Sequence, residues 1–409
     1  MDRASRWGTW IVLAVGAASV ACGTSAGTNA QTPVADASAD AGSGRGIDAG
    51  MALGMSPSNA GGDGAAALDG AAQPPLGPPC GPTPTKIVDF AVLAAQLDAA
   101  WVAAPEIVAD ATNVYFLFND ALMRVPVGGG PIVTMASLST NSAMTVTQVD
   151  PTRMGSSVVL HFPQSGSSDE TIFAVPVDGG SAVALGSSDG TINGFATDQH
   201  AIYFVDQAGT KAISGDGAVS VLTDQLTSST TGAFGDPLAV EGARLIVTTE
   251  AQQGSLVAVP IDGGSPTTLA TSQDNASFPL PCGATICWWS GARPDVPGGG
   301  AGPGAVEQLD DGGPSTLSPY APYFPWTLLF DGTDFFETVG CDLCDGTLLR
   351  IPATGEAPVT MSASGAYAAL AGACVYWSAG DGIYSAEKSY TPADAGVPDS
   401  ASPDSGEGD

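Results

Sequence analysis

The seven-residue stretch AVPVDGG (174–180) returns as AVPIDGG (258–264), and a close copy, RVPVGGG, occupies residues 124–130. In each copy a valine precedes a proline, and two glycines follow a short distance later. Proline is tolerated where a strand leaves its ladder, and glycine adopts the positive φ that tight hairpins require. We therefore interpret each copy as the end of one strand and the turn into the next. The repetition is structural rather than catalytic.

Short runs of β-branched and aromatic residues form a second repeat, upstream of the copies. The runs are VYF (114–116), VVLHF (158–162), IYF (202–204), LIV (245–247), CWW (287–289), FFE (335–337) and VYW (375–377). Their middle residues recur every 40 to 48 residues. A period of this length, built from short strands and Gly-rich turns, is typical of propeller blades. We expect an all-β fold, a β-propeller with seven blades favoured and six as the alternative.

The order of aromatic strand, turn, xVPxDGG and further strand resembles the repeats of secreted bacterial β-propellers of the TolB-like and WD40-like type. The resemblance covers about residues 86–390. Many TolB-like rings have six blades, which is the source of the alternative count. The resemblance implies the fold and leaves the activity open, because propellers host binding, scaffolding and catalysis alike.

The last repeat unit, VYWSAGDGIYSA (375–386), has no recognisable fourth strand before the C-terminal tail begins. A ring needs that strand in order to close. The segment TKIVDFAVL (85–93) precedes the first unit and can supply it, which would join the two ends of the chain. Cys80 and Cys374 would then lie near the same seam.

The N-terminus has the pattern of an export signal. Arg3 and Arg6 precede an apolar run at 10–21 that is too short to span a bilayer. Small residues before Cys22 suit cleavage there, and the pattern resembles a bacterial lipoprotein signal with Cys22 as the lipidated residue. Simple secretion and an uncleaved anchor are the alternatives.

The seven cysteines support this interpretation. Assigning Cys22 to a lipid leaves six, an even number that can pair in an oxidising compartment. We expect the pairs Cys80–Cys374, Cys282–Cys287 and Cys341–Cys344.

Composition divides the chain into four regions. We expect a signal peptide at 1–21, a disordered lipoprotein tether at 22–82, the propeller at 83–390 and a disordered acidic tail at 391–409. Residues 23–79 contain no aromatic residue, and such a segment cannot bury enough apolar surface to offset its ordering entropy.

The charge balance limits the partners. Eleven Lys and Arg stand against 42 Asp and Glu, a formal net charge of −31. A phosphate backbone would be repelled, so we expect no nucleic acid partner. We expect an unidentified envelope protein or glycan as partner, and membrane contact only through the lipid anchor, with the outer membrane as the location.

The sequence contains no convincing catalytic motif, and we expect no catalytic residue. Two G-x-S-x-G matches, at 23–27 and 186–190, lack the strand–turn–helix context that a nucleophile elbow requires. His161 and His200 are the only histidines, too few for a histidine-based metal site. We expect no metal and no cofactor, with calcium at the acidic stretch 331–346 as the alternative.

The fifth repeat unit departs from the pattern. A Gly/Pro-rich loop at 290–306 carries Arg293, and the stretch SPYAPYFPWTLLF (318–330) follows it. Long loops are often functional, and aromatic residues with arginine dominate interfaces. The candidate binding rim consists of Arg293, Tyr320, Tyr323, Phe324 and Trp326. The alternative is that the tryptophans here are packed between blades and the loop has no role.

These features together predict a non-catalytic binding or scaffolding module, lipid-anchored at the bacterial cell envelope. The alternative is a propeller enzyme, such as a lyase, a lactonase or a glycan-acting hydrolase, with its site at the central channel. A third possibility is a coat or spacer protein without a specific partner.

Overall fold

Seven four-stranded antiparallel sheets, arranged in a ring, make this protein a seven-bladed β-propeller. The expected fold class is confirmed, and the ring has seven blades rather than six. The computed structural model describes residues 80–97, 104–119, 121–137, 145–150, 157–163, 168–198, 201–215, 217–227, 231, 237–249, 254–291, 304–321, 325–339 and 346–392. Within these ranges, no helix is long and apolar enough to cross a membrane.

The chain enters the fold through a strand, a short helix and then the first three complete blades. These elements are β1 (Thr85–Asp89) and α1 (Phe90–Leu97); in blade 1, β2 (Ile107–Ala109), β3 (Asn113–Phe118), β4 (Ala121–Pro126) and β5 (Val133–Ser137); in blade 2, β6 (Thr145–Asp150), β7 (Ser157–Pro163), β8 (Glu170–Pro176) and β9 (Val183–Ser187); and in blade 3, β10 (Gly194–Thr197), β11 (Ala201–Asp206), β12 (Gly209–Ser214) and β13 (Val219–Thr223).

The remaining strands build blades 4 to 7. They are, in blade 4, β14 (Leu238–Glu241), β15 (Arg244–Thr249), β16 (Gly254–Pro260) and β17 (Thr267–Gln273); in blade 5, β18 (Ser277–Cys282), β19 (Thr285–Ser290), β20 (Gly304–Asp310) and β21 (Gly313–Ala321); in blade 6, β22 (Pro325–Phe330), β23 (Asp334–Val339), β24 (Thr347–Pro352) and β25 (Val359–Ser362); and in blade 7, β26 (Tyr367–Ala371), β27 (Cys374–Ala379) and β28 (Gly382–Glu387).

The first strand of each blade lies at the centre of the ring. Each of these strands contacts the first strand of the next blade, and β26 contacts β2, so the contacts close a cycle. Because the strands alternate in direction, the second-to-third-strand hairpins and the blade-to-blade connections lie on one face, which we call the upper face.

The ring closes through β1, which pairs with β28 as the fourth strand of blade 7, with Thr85 opposite Ser385. The predicted closure by an N-terminal strand is confirmed for residues 85–89. The following residues, FAVL, are helical rather than extended. The Asp89 carboxylate accepts hydrogen bonds from the backbone N–H groups of Ala91 and Val92, which caps the helix at this point.

Two of the three expected disulfides are present. Cys80–Cys374 joins the segment that precedes β1 to the start of β27, and Cys282–Cys287 spans the hairpin between β18 and β19. Cys341 and Cys344 lie outside the described residues, as do Cys22 and the terminal regions.

The repeated VPxDGG motif forms the hairpin between third and fourth strands, as predicted. The N–H of Gly179 donates to the carbonyl of Pro176 at 2.9 Å, and the equivalent bond from Gly263 to Pro260 is 3.1 Å. Gly179 and Gly180 have φ of 96° and 143°, values that L side chains rarely adopt. A Cβ on Gly180 would lie 3.8 Å from the Pro176 ring, so the proline covers the second glycine.

Large aromatic side chains fill the seams between blades. Trp288 packs between blades 4 and 5, Trp289 between blades 5 and 6, and Trp377 between blades 6 and 7. All three side chains are fully buried. The adjacent tryptophans of CWW therefore face opposite ways along β19, because successive side chains of a strand point to opposite faces.

We expect the Cys80–Cys374 disulfide to stabilise the ring more than Cys282–Cys287 does. It links residues 294 apart in sequence, against five for the other, and the entropic stabilisation grows with the length of the closed loop. Replacing both cysteines of the long-range pair by serine should lower the free energy of unfolding by roughly 3 kcal/mol more than the same change in the hairpin pair. Urea denaturation under non-reducing conditions measures both. Equal losses of unfolding free energy in the two double variants would contradict the greater stabilisation by Cys80–Cys374.

Candidate functional site

The strands that flank the predicted rim end on the upper face. Arg293 belongs to the β19–β20 hairpin, and Tyr323 and Phe324 belong to the β21–β22 connection; all three lie outside the described residues. Tyr320 is in β21, although its side chain is not among those described. The sequence separates these residues by up to about 30 positions, and the topology brings the ends of their strands to one face of blades 5 and 6.

Trp326 is the rim residue whose side chain is described. It lies near the start of β22, is half-buried, and its ring centroid lies 5.5 Å from that of Tyr367 with a tilt of 42°. Tyr367 begins β26, so this aromatic pair bridges the central strands of blades 6 and 7 near the upper face. A partly exposed indole of this kind offers apolar area with little side-chain entropy to lose on binding.

The base of the β19–β20 hairpin is shaped by Trp289. A Cβ on Gly304 would lie 2.5 Å from the indole ring, and a Cβ on Gly291 would lie 2.9 Å from it. Real Cβ contacts are not this short, so the two glycines are required for the ring to lie against the backbone. The two glycines at the ends of the Gly/Pro-rich loop therefore both pack against an indole ring that is buried between blades 5 and 6.

The seam between blades 5 and 6 also contains polar groups without partners. Glu337 in β23 is fully buried, and neither carboxyl oxygen has a hydrogen-bond partner. The hydroxyl groups of Ser277 and Ser318 on the facing blade are likewise buried and unsatisfied. Burying such groups costs free energy unless they are paired, so this seam departs from ordinary core packing.

The central strand of blade 5 is strained at the same place. Phe278 has a φ of 51°, and the register of β18 against β19 shifts between Ser277 and Leu280. Positive φ is a genuine outlier for a bulky residue, and such strain clusters at functional sites. Phe278 nevertheless packs in the same cluster as Trp289 and Leu328. Strain, unpaired polar groups and the long hairpin thus coincide at one seam.

A second polar cluster lies at the junction of blades 2 and 3. The Nδ1 atom of His161 contacts the Glu170 carboxylate, and both side chains are buried. The His161 ring stacks on Phe195 of blade 3, with centroids 5.7 Å apart. His161, in the strand run VVLHF, is thus buried at a blade junction, whereas His200 lies outside the described residues.

Lys211 completes the polar cluster on the blade 3 side. Its ammonium group donates to Asp206 at 2.8 Å and also contacts Asp189, and both Lys211 and Asp206 are buried. Burial acts to lower the pKa of Lys211, but the hydrogen bonds to Asp189 and Asp206 outweigh it and raise the pKa above its ordinary value. The ammonium group therefore stays charged and paired, which is a structural role.

Two sequence matches to catalytic or metal motifs have structural explanations where they are described. The Ser188 hydroxyl, the nucleophile position of G-S-S-D-G, accepts from the N–H of Glu170 at 2.8 Å and donates to the carbonyl of Gly190. In the acidic stretch 331–346, Asp331 caps a turn while Glu337 faces the blade 5–6 seam. The described residues contain no group of three or more His, Cys, Asp or Glu that could hold a metal ion.

The sequence did not reveal Glu337 or the Lys211 cluster. Glu337 interrupts the apolar run FFETV, and that break is the one available signal for a buried acid. The signal is ambiguous, because strands with one solvated face also alternate apolar and polar residues. Lys211 gives no signal at all, because its partners Asp189 and Asp206 come from a connection and a different strand.

No family model and no curated protein matches the chain. Among solved structures, it is similar to a chain of a nidogen/laminin complex at 15% identity, with 59% of this chain and 89% of that chain covered and a TM-score of 0.40. It is similar to the computationally designed Ika8 protein at 12% identity, with coverages of 71% and 85% and a TM-score of 0.46. A third similarity is to PorZ, a bacterial surface component of the type-IX secretion system of Porphyromonas gingivalis, at 13% identity, with 74% of this chain and 37% of that chain covered and a TM-score of 0.47. The fold assignment rests on strand pairing and not on these similarities.

We expect Lys211→Met to destabilise the protein by about 3–5 kcal/mol, because it leaves the Asp206 carboxylate buried without a cation. Adding Asp206→Asn should restore much of the loss. Lys86→Met is the matched control: Lys86 pairs with Asp381 at 2.6 Å, but both side chains are substantially exposed, so the loss should be under about 1 kcal/mol. Chemical denaturation compares the variants. A similar loss for Lys86 and Lys211 would rule out the buried-pair explanation.

Proposed function

We propose that this protein is a non-catalytic binding or scaffolding module that binds an envelope protein or glycan through the upper face of blades 5 and 6. The observation that carries the proposal is the coincidence of unusual features at one seam. The long hairpin between Gly291 and Gly304 begins on a buried indole, and the half-buried Trp326 lies on the adjoining blade. The flanking stretch is rich in the aromatic residues that dominate binding interfaces.

The proposed location is the bacterial cell envelope, with lipid attached at Cys22 as the anchor and the outer membrane as the destination. Its support is the signal-like N-terminus together with the disulfides Cys80–Cys374 and Cys282–Cys287. Disulfides persist in oxidising compartments such as the periplasm and the cell surface.

The alternative, a propeller enzyme, is favoured by one observation, the buried pair of His161 and Glu170. A carboxylate that fixes the tautomer and orientation of an imidazole is an arrangement used by general bases. The neighbouring groups argue for a structural role, because Lys211 and Ser188 are engaged with partners of their own.

We expect the triple variant Tyr323→Ala, Phe324→Ala, Trp326→Ala to lose a partner that cross-links to the wild type in native envelopes. The purified partner should bind the variant at least about tenfold more weakly, since aromatic anchors contribute most of the energy of such interfaces. Because Trp326 also packs on Tyr367, the variant removes a packing contact. Circular dichroism therefore serves to check that the variant is folded.

The matched control for the rim variant is Val183→Ala, Val219→Ala, Val221→Ala, which removes three exposed apolar side chains from the outer strands of blades 2 and 3. This control should retain the partner. Equal recovery with the wild type, the rim variant and the control would exclude the proposed face.

We expect Cys22→Ser to move the protein from the membrane fraction to the soluble fraction when it is expressed with its own N-terminus in a bacterial host. Acyl chains on Cys22 would supply membrane affinity. Cell fractionation and metabolic labelling with a fatty acid measure the anchor and its chemistry. Retention of the serine variant in membranes would reject the anchor without affecting the proposed binding face.

A further inference from the structure

Glu337 faces blade 5 from the middle of β23. Strand alternation places its side chain on the same face as Phe335 and Val339, which pack against Trp289 of blade 5. Its direct neighbours in the sheet are Leu328 and Leu349. The carboxyl group is therefore enclosed by mostly apolar side chains from two blades, with the unpaired hydroxyl groups of Ser277 and Ser318 in the same seam.

No described charge faces this carboxyl from the elements around it. Glu307 is paired with Trp288 and so faces blade 4, and Asp310, the last residue of β20, is exposed. Arg350 is paired with Phe336, which packs toward blade 7, and it contacts Asp334. The remaining titratable side chains described on the facing strands, those of Cys282 and Cys287, are joined in a disulfide.

The other buried acids of the described structure have side-chain partners. Asp206 pairs with Lys211, and Glu170 pairs with His161. Glu337 differs from both because neither of its oxygens has a partner. Burial accordingly raises the pKa of Glu337 well above its ordinary value. The neutral acid is the form that suits the closed seam.

The junction between blades 7 and 1 is held more firmly. Within blade 7, β1 pairs with β28 and the Cys80–Cys374 disulfide ties the chain ahead of β1 to β27, so the segment that leads into blade 1 is fixed covalently to blade 7. At the blade 5–6 seam, by contrast, the described side chains supply mostly apolar packing around an unpaired acid, and Phe278 has a strained backbone. Strain of this kind is relieved when the surrounding packing loosens.

We propose that the seam between blades 5 and 6 opens when Glu337 loses its proton, while the junction between blades 7 and 1 stays closed. Opening admits water, which accepts the proton and hydrates the carboxylate. In the open or unfolded state Glu337 titrates near the ordinary value for glutamate. The stability of the closed seam is therefore complete below that value and declines as the pH rises through the higher pKa of the folded state. This inference does not depend on the proposed binding function.

Hydrogen exchange measured by mass spectrometry from about pH 5 to about pH 9 tests the proposal on the full chain. After correction for intrinsic exchange, β19 and β23 of the wild type should open about tenfold more for each pH unit between the two pKa values, and then level off. Strands β3 and β27, which pack at the junction between blades 7 and 1, should not show this additional rise, and neither should β7 and β11 of the blade 2–3 junction.

Glu337→Gln should abolish the additional rise, because the amide has the shape of the neutral acid and does not ionise. Glu337→Leu serves as a second neutral variant with a different packing shape. Glu170→Gln is the matched control, since it removes a buried acid from another seam and should leave the rise in β19 and β23 intact. The proposal is overturned if both Glu337 variants keep the wild-type pH dependence, or if all blades open together.

Discussion

The pairing of β1 with β28 is the constraint on which the whole ring depends. A propeller blade has little core of its own, because its apolar side chains lie on the two faces that pack against neighbouring blades. Both faces of every blade are therefore covered only if the ring is closed. Here the closing strand comes from the opposite end of the chain, and the disulfide between Cys80 and Cys374 makes this arrangement covalent.

Cationic side chains are few in the described part of the ring, and all of them make polar contacts. The six lysines and arginines in the described parts of the chain each contact a carboxylate or a carbonyl; they are Lys86, Arg124, Lys211, Arg244, Arg350 and Lys388. Because there are so few cations, most of the described carboxylates have no cationic partner. Carboxylates in turns accept hydrogen bonds from backbone N–H groups instead. Asp110, for example, accepts from the backbone N–H groups of Thr112 and Asn113, both at 2.7 Å. The strong net negative charge thus has a partly structural origin in hairpin geometry.

The architecture was predictable because its signals are local and repeated. Gly179 and Gly180, which follow Pro176, are the residue type that the positive φ values of this turn require. The number and spacing of the aromatic runs predict the number of blades. The helix at Phe90 was missed because its apolar residues suit a strand equally well and the decisive feature is the cap supplied by Asp89. The state of Glu337 was not predictable, since it depends on which residues of blade 5 lie opposite. Sequence reasoning could locate the unusual fifth unit but not the buried acid beneath it.

The packing of Trp289 against Gly291 and Gly304 has a consequence for how this ring can change. The two glycines fix where the β19–β20 hairpin leaves and rejoins the blade, and the indole that demands them belongs to the core. A peptide that joins these two points has to fit the blade at Gly291 and at Gly304. The hairpin is therefore a position where evolution or an engineer can replace one peptide by another, provided that both glycines are kept, without changing the strand register of the blade.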